Sequence, residues 1–216
     1  MNDQKEYLKD LTEIRSIMER SSRFISLSGL SGISVGIVAI ISSYIFYYFQ
    51  SNNLELILNS NKQVFENGFP NNYIIIIKFL LLIGLSTLFI AIAIAIFFTT
   101  RNAKKQGVSI WSKTAKNLVI NMSIPLFTGG LFCFLLLINH ELYLIIPSTL
   151  IFYGLSLINS SKFTVNDIRY LGFCEIALGI ISMISISYSF VIWIIGFGIL
   201  HIVYGTIMYL KYERKQ

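Results

Sequence analysis

The sequence predicts an all-α, polytopic membrane protein with six transmembrane helices arranged as three hairpins and preceded by an N-terminal amphipathic helix. Two observations support this fold class. Hydrophobic residues make up 55% of the 216-residue chain and charged residues only 13%, which is too little polar material to cover a soluble domain. Apolar runs of about 18 or more residues recur along the chain, and each is long enough to cross a hydrocarbon core of about 30 Å.

Three regions follow from this pattern: a cytoplasmic amphipathic head at residues 1–25, a six-helix transmembrane domain at 26–210 and a cytoplasmic tail at 211–216. In the head, apolar residues recur at helical spacing among charged ones. The head is therefore predicted either to lie on the membrane surface or to form a solvated helix that leads into the first span. No small-residue cleavage site is evident, so we expect the first span to remain as an anchor.

Polar segments divide the apolar sequence into six predicted spans. The third contains Pro125, Gly129 and Gly130, which are expected to kink or loosen its helix. Minimal turns join the third span to the fourth and the fifth to the sixth, and a fusion of the third and fourth across 139–141 is the alternative to six. The predicted spans are Leu27–Phe49, Tyr73–Phe98, Leu118–Ile138, Leu142–Leu157, Tyr170–Ser185 and Phe190–Tyr209.

The lysines and arginines predict the orientation of the chain. On this topology, 15 of the 17 lie in the head, the tail and two connections on one side, and only Lys62 and Lys78 lie on the other. Basic residues are enriched on the cytoplasmic side of a membrane, so both termini are predicted to be cytoplasmic. The same distribution argues against a nucleic-acid partner. The head at 1–25 and the connection at 101–116 could meet a cytoplasmic partner or anionic membrane lipids, or could serve topology alone.

Small residues predict the faces on which the helices pack. In the fifth span a glycine lies three residues before Glu175 and another four residues after it, and His201 in the sixth span has the same neighbours. Glycines on one helical face let two backbones approach closely. Glu175 and His201 are therefore expected to face protein rather than lipid. The predicted packing residues are Gly29, Gly32, Gly36, Gly172, Gly179, Gly198 and Gly205.

Glu175 is the main candidate for a functional residue, because an unpaired carboxylate at membrane depth costs roughly 2.5–3.5 kcal/mol. Either the group is neutral, or it has a polar partner such as a tyrosine, His201 or a main-chain group freed at Pro125. His201 is the favoured partner, since both residues lie thirteen positions from Tyr188. The interaction could simply join two hairpins, or it could form a ligand site or proton site. The candidate binding residues are Glu175, His201, Tyr204, Tyr153 and Asn121, with Asn159 as a further polar group suited to packing or capping.

Metal, cofactor and catalytic sites are not predicted. The chain has two histidines, with His140 in an outer turn and His201 deep in a span, so no cluster has metal-ligand spacing. Nucleophile-elbow, zinc-protease, P-loop and dinucleotide-binding motifs are absent from the sequence. Cys133 and Cys174 lie in apolar runs near opposite ends of their spans, where they are expected to be small apolar fillers without a disulfide.

Several segments carry a resemblance, among them "IRSIMERSSRFISLSGLSG", "PLFTGGLFC", "IFYGLSLINSSKF", "DIRYLGFCEIALGIIS" and "WIIGFGILHIVYGTIMYLKYER". From about residue 14 onward the chain resembles a family of small six-span inner-membrane proteins of Bacteroidota-type bacteria. The last predicted hairpin is also similar to hairpins of the HdeD-type acid-resistance membrane proteins. These resemblances imply a bacterial inner-membrane location and bring neither a mechanism nor site residues.

Three functions remain open from the sequence. The first is a non-enzymatic integral membrane protein with a polar seam that binds or senses a small molecule, a lipid or a proton. The second is a small proton-coupled transporter or channel that uses Glu175 and His201, for which a homo-oligomer would compensate for the short chain. The third, an intramembrane enzyme acting on lipid, would need another acid, base or nucleophile beside Glu175, and only His201 and tyrosines are available.

Overall fold

The computed structural model describes residues 28–52, 71–107 and 109–214, and of residues 71–76 only the backbone. The predicted head and most of the first outer connection lie outside this part. The described residues form helices joined by short turns and contain no strand. In chain order the helices are α1 (Gly29–Asn52), α2 (Asn71–Lys105), α3 (Lys113–Ile138), α4 (Ile145–Ser160), α5 (Asp167–Ile184) and α6 (Ile186–Glu213).

Within the described residues, five helices are long and apolar enough to cross a membrane: α1, α2, α3, α4 with its flanking 3₁₀ turns, and α6. The prediction of a helical membrane protein is therefore confirmed. Helix α5 is 18 residues long and carries Asp167, Arg169 and Glu175 within that length, whereas each of the other five contains an apolar stretch of 18 residues with at most two charged side chains. By composition and length alone the described chain thus has five clear spans, one fewer than predicted.

Some helices continue past the predicted ends of their spans into polar sequence. α2 continues beyond Phe98 to Lys105, because a helix satisfies its main-chain hydrogen bonds whether or not its side chains are apolar. Gly107 then adopts a positive φ of 65°, which suits glycine in a tight turn. α3 begins at Lys113, and the Ser112 side chain caps it by accepting a hydrogen bond of 3.1 Å from the Ala115 N–H.

α3 and α4 are separate helices joined by a tight turn. α3 ends at Ile138, His140 takes a positive φ of 65°, and a 3₁₀ turn at Leu142–Leu144 precedes α4. The alternative of one long fused helix is therefore wrong. The positive φ breaks the helical path because the left-handed region cannot continue a right-handed helix.

The described chain divides into two compact units. The central unit, residues 99–196, contains α3, α4 and α5, and α4 packs against both of the others. The terminal unit comprises residues 28–98 and 197–214 and contains α1, which packs against the second half of α6. The chain thus places its first described helix against its last one, far apart in sequence.

Helix α6 is irregular along its length. An α-helical segment, Ser189–Trp193, leads into a π-helix at Ile194–Leu200, followed by an α-helix at His201–Met208 and a second π-helix at Tyr209–Glu213. π-Helical turns are rare and occur frequently at functional sites. Here the first π-helix contains the glycines of the "GFG" sequence and immediately precedes His201.

Large apolar side chains cover the exposed surfaces of the helices. Within α2 none of the residues in its most apolar stretch is buried, and Leu82, Phe89 and Phe97 are all more than half exposed. A surface of this kind is stable against hydrocarbon rather than water. The exposed residues of α2 thus supply a lipid-facing surface.

Candidate functional site

Glu175 lies on the buried face of α5. Its side chain is 0% exposed, as is that of Ser182 two turns further along the same helix. The buried residues recur at intervals of three and four, the spacing of one helical face. They are Ile168, Leu171, Gly172, Glu175, Gly179 and Ser182.

Two glycines on that face bring α5 against α4. A methyl group added at Gly172 would lie 2.8 Å from the carbonyl oxygen of Gly154, and one added at Gly154 would lie 2.6 Å from the carbonyl oxygen of Gly172. The two backbones therefore touch where neither residue has a side chain. At Gly179, an added methyl group would lie 3.1 Å from the Pro147 carbonyl oxygen. Glu175 is thus placed between two close contacts of α5 with α4.

The carboxyl group of Glu175 is directed at α6 within the central unit. A methyl group added at Gly196 would lie 2.6 Å from Oε2 of Glu175 and 2.7 Å from Cδ2 of Leu150. Leu150 belongs to α4 and is itself 0% exposed. The missing side chain at Gly196 therefore provides the space that the carboxyl group occupies, and α4, α5 and α6 each contribute one residue to this contact.

Two further polar groups of the central unit lie on or near this face. Tyr153 of α4 is half-buried and lies in the neighbourhood of Glu175. The Ser182 hydroxyl is buried and has no hydrogen-bond partner among the described residues. The main-chain carbonyl of Ser182 accepts a hydrogen bond of 3.1 Å from the Ser189 hydroxyl at the start of α6. The buried face of α5 thus carries two polar side chains, Glu175 and Ser182, among apolar residues and glycines.

His201 and Tyr204 belong to the terminal unit. His201 is 4% exposed, and its ring stacks on that of Phe197 with centroids 5.7 Å apart and planes at 15°. Tyr204 is half-buried, with its hydroxyl oxygen shielded from solvent. Glu175 belongs to the central unit and His201 to the terminal unit, and each is described within its own unit. The predicted pairing of the two residues therefore stays a prediction.

Asn121 and Asn159 meet across α3 and α4. Proline has no N–H, so Pro125 leaves the carbonyl of Asn121, four residues earlier, without its helical donor. The Asn159 side-chain amide donates a hydrogen bond of 2.8 Å to this carbonyl. The Ser156 hydroxyl donates one of 2.9 Å to the next carbonyl, that of Met122. The main-chain group freed at Pro125 is therefore bonded to α4, and the side-chain amide of Asn121 donates within its own helix to the Asn117 carbonyl at 2.8 Å.

The predicted glycines of the terminal unit lie where α1 meets α6. A methyl group added at Gly32 would lie 3.0 Å from the Cα of Gly205, and one at Gly36 would lie 2.7 Å from the carbonyl oxygen of Gly198. Gly29 likewise touches Gly205 and Tyr209 through backbone atoms. The contacts run in opposite chain directions, from Gly29 beside Tyr209 to Gly36 beside Gly198, so α1 and this part of α6 are antiparallel.

Sequence reasoning missed Gly154 and Gly196, two residues that form the surroundings of Glu175. Gly154 is the only glycine of α4, so it made no repeated pattern. Gly196 belongs to the "GFG" sequence at 196–198, which is too short to match a dinucleotide-binding motif. The irregular helix around it could not be inferred from hydropathy. Spacing gave no signal for Gly154 either, because its nearest small neighbour in α4, Ser156, lies two residues away and therefore on a different face of the helix.

Metal-ligating side chains do not cluster in the part of the chain that the structure describes, where no group of three or more His, Cys, Asp or Glu could hold a metal ion. Cys133 is half-buried and Cys174 exposed, and both are free thiols. A comparison of the chain with protein families found no match, and comparisons with curated proteins and with solved structures found none either.

Proposed function

We propose that the protein is a non-enzymatic, six-span integral membrane protein of the bacterial inner membrane in which the Glu175 carboxyl group binds and releases a proton. The observation that carries this proposal is the complete burial of that group against Gly196 and Leu150. Ionisable residues inside membrane helices are costly, and an ionisable group at this depth is a functional candidate by default.

The ligand is a proton because the contact leaves no room for a larger one. A single methyl group at Gly196 would already come within 2.6 Å of Oε2, whereas ordinary non-bonded carbon atoms are separated by about 3.5–4.0 Å. A small molecule or a lipid headgroup at this point would have to separate α5 from α6. A proton can be gained or lost without such a rearrangement.

Protonation would be coupled to helix packing. A neutral carboxyl group fits a dry contact between helices, whereas an ionised one in that place carries an effective penalty of several kcal/mol unless water or a charged partner reaches it. Loss of the proton is therefore expected to loosen α5 against the Gly196 segment of α6. This coupling gives the protein a means to sense proton concentration by a change in packing.

A contact within the terminal unit supports an even number of membrane spans. The Glu213 carboxylate, at the end of α6, accepts a hydrogen bond from the Gly29 N–H and one of 3.3 Å from the Ser28 hydroxyl, at the start of α1. Two chain positions in contact at helix ends lie on the same membrane side, and a chain that returns to its starting side has crossed an even number of times. With five clear spans, α5 supplies the sixth.

The composition of α5 fits this role. Asp167 and Arg169 lie in its first turn, at the same end as the segments that carry lysines. Glu175 is the single charged residue in the remaining length of the helix. Its 18 residues extend about 27 Å at 1.5 Å each, close to the hydrocarbon thickness of about 30 Å. The excess of basic residues on that side supports cytoplasmic termini, and the inner-membrane location follows from the resemblance of the sequence.

A proton-coupled transporter would need a cavity that reaches Glu175. The groove between α3 and α4 is lined by seven residues, and Glu175 is not among them. On the side of α5 that leads to Asp167, the backbone contact of Gly172 with Gly154 closes the space between α4 and α5. These contacts favour a protonation centre over a transport path.

The proposal is tested by thermal unfolding of the purified protein in detergent across a range of pH. A carboxyl group that is neutral when folded but ionises freely when unfolded contributes stability at low pH, and that contribution is lost as the pH rises. The Tm of wild-type protein should therefore fall with pH by more than that of Glu175→Gln, which cannot ionise. Glu175→Leu should insert but pack less well, because its branched side chain meets the α6 backbone.

Glu141→Gln, in the outer turn, is the matched control and should keep the wild-type pH profile. Infrared difference spectra provide a second measurement, since a protonated carboxyl group has a C=O band that Glu175→Gln removes and Glu141→Gln retains. Identical pH profiles for wild type and Glu175→Gln, with no band assigned to Glu175, would reject the proton-binding centre.

A further inference from the structure

A groove with a volume of about 460 Å³ lies between α3 and α4 in the central unit. Two of its residues come from α3, four from α4, and one from the 3₁₀ turn that follows α4. The groove does not involve the Glu175 contact. Its lining residues are Pro125, Thr128, Phe152, Leu155, Ile158, Asn159 and Lys162.

Lys162, the one charged residue among those that line this groove, lies at one end of it. Leu155, near the middle of the α4 side, is 42% exposed, and the Thr128 hydroxyl is already bonded to the Ile124 carbonyl at 2.9 Å. Asn159 and Lys162 lie at the C-terminal end of α4, and Lys162 is exposed. The groove thus has an apolar floor and a cationic end.

The length of the groove matches one leaflet of a bilayer. From Phe152 to Lys162 the chain advances ten residues, which is about 15 Å at 1.5 Å per residue. The hydrocarbon core is about 30 Å thick, so half of it is also about 15 Å. An apolar groove that starts at the membrane surface and ends near the bilayer centre is suited to a single acyl chain.

The charge at this end favours an anionic headgroup. α3 starts, α4 ends and α5 starts at the same end of the central unit, where Lys113, Lys116 and Arg169 are exposed in addition to Lys162. Asp167 is the acidic residue that the described sequence places there. Basic residues at a membrane surface attract anionic lipids by about 1 kcal/mol each.

We propose that the groove between α3 and α4 binds an anionic phospholipid, with one acyl chain along Phe152, Leu155 and Pro125 and the phosphate at Lys162. The ammonium group of Lys162 supplies the charge, and the apolar floor supplies the contact area for the chain. Glu175 does not line this site, so the lipid-binding proposal can be tested independently of the proton-binding centre.

Native mass spectrometry of the detergent-purified protein, equilibrated with equal amounts of phosphatidylglycerol and phosphatidylcholine, tests this proposal. Wild-type protein should retain phosphatidylglycerol preferentially. Lys162→Gln should lower that preference about fivefold, the factor equivalent to about 1 kcal/mol for one basic residue. Lys116→Gln, an exposed lysine at the same end that does not line the groove, is the matched control and should lower the preference by clearly less.

A second variant tests the apolar floor. Leu155→Trp should fill the groove and reduce retention of both lipids, and circular dichroism shows whether each variant remains helical. If Lys162→Gln and Lys116→Gln reduced the preference for phosphatidylglycerol equally, the lipid would be attracted by a diffuse basic surface, and the proposal would be overturned. Equal retention of the two lipids by wild-type protein, or unchanged retention in a folded Leu155→Trp protein, would overturn it as well.

Discussion

The Asn159 side-chain amide donates a 2.8 Å hydrogen bond to the main-chain carbonyl of Asn121, which Pro125 has deprived of its helical donor. A residue of α4 thus replaces a hydrogen bond that α3 cannot make for itself. In lipid, where water is not at hand to replace it, each main-chain group must be bonded within the protein. The proline in α3 and the asparagine in α4 therefore act as a pair.

Replacement of Asn159 should reveal this pairing. We expect Asn159→Leu to lower the free energy of unfolding by about 1–2 kcal/mol, because it leaves the partly buried Asn121 carbonyl without a donor. In a Pro125→Ala background the cost should be smaller, since residue 125 regains an N–H for the Asn121 carbonyl. Thermal unfolding of the four proteins of this double-mutant cycle measures the coupling.

Ser156→Ala is the control for that cycle. Ser156 donates to the Met122 carbonyl, and the helical donor of that carbonyl, the N–H of Leu126, is not removed by a proline. Its loss should cost less than Asn159→Leu and should be independent of residue 125. A cost for Asn159→Leu that does not change in the Pro125→Ala background would contradict the pairing.

Gly196→Ala should destabilise the central unit by about 1–3 kcal/mol, because the methyl group would crowd Glu175 and Leu150. Gly130→Ala is the matched control, since an added methyl group at Gly130 has nothing within 4 Å. In a helix interior that change is expected to be neutral or stabilising. Thermal unfolding of the two variants in the same detergent compares them.

A shorter acid should partly rescue Gly196→Ala. Glu175→Asp withdraws the carboxyl group from α6, so the double variant should unfold at a higher temperature than expected from the two single changes. Strict additivity would show that Gly196 and Glu175 do not share a packing contact, whatever the protonation state of the acid.

The Glu213 carboxylate should protect the first turn of α1. It accepts hydrogen bonds from the Gly29 N–H and the Ser28 hydroxyl, and a negative charge at a helix N-terminus contributes about 0.3–1 kcal/mol. Glu213→Ala should therefore speed amide hydrogen exchange at the start of α1, with a smaller effect in Glu213→Gln. Peptides from α4 serve as the internal control, and equal exchange at Gly29 in all three proteins would contradict the cap.

Membrane topology can be tested with single cysteines in a background without Cys133 and Cys174. A membrane-impermeant thiol reagent should label cysteines at Asn139 and Ser187 from the outside of intact spheroplasts. Cysteines at Ser112 and Lys162 should be labelled only after the membrane is opened. Labelling of residues 187 and 162 from the same side would show that α5 does not cross the membrane and would reject six spans.

The predicted helix faces show how far a sequence can specify contacts. The repeated spacing around Glu175 indicated that this side of α5 meets protein, and the structure buries Gly172, Glu175 and Gly179. The same reasoning gave no sign that Gly154 and Gly196 are the residues opposite. Each is defined by the register of a neighbouring helix, and register depends on helix crossings that a single span does not encode.

The proline in α3 is a similar case. Pro125 alone predicts a freed carbonyl four residues earlier, but the sequence offered several polar groups that could bond to it. The choice of Asn159 depends on the turn between α3 and α4, in which His140 takes a positive φ of 65°. That backbone geometry fixes which residues of the two helices lie side by side.

The sequence by itself determined that this chain is helical and suited to a membrane, because an apolar helix satisfies its own main-chain hydrogen bonds and needs no neighbour to do so. Tertiary structure alone decided that Glu175 meets Gly196 and that Asn159 reaches the Asn121 carbonyl. Both contacts join consecutive helices, and each depends on the register and crossing of its two helices, which the sequence of a single span does not encode; at Gly196 the missing side chain permits the close approach.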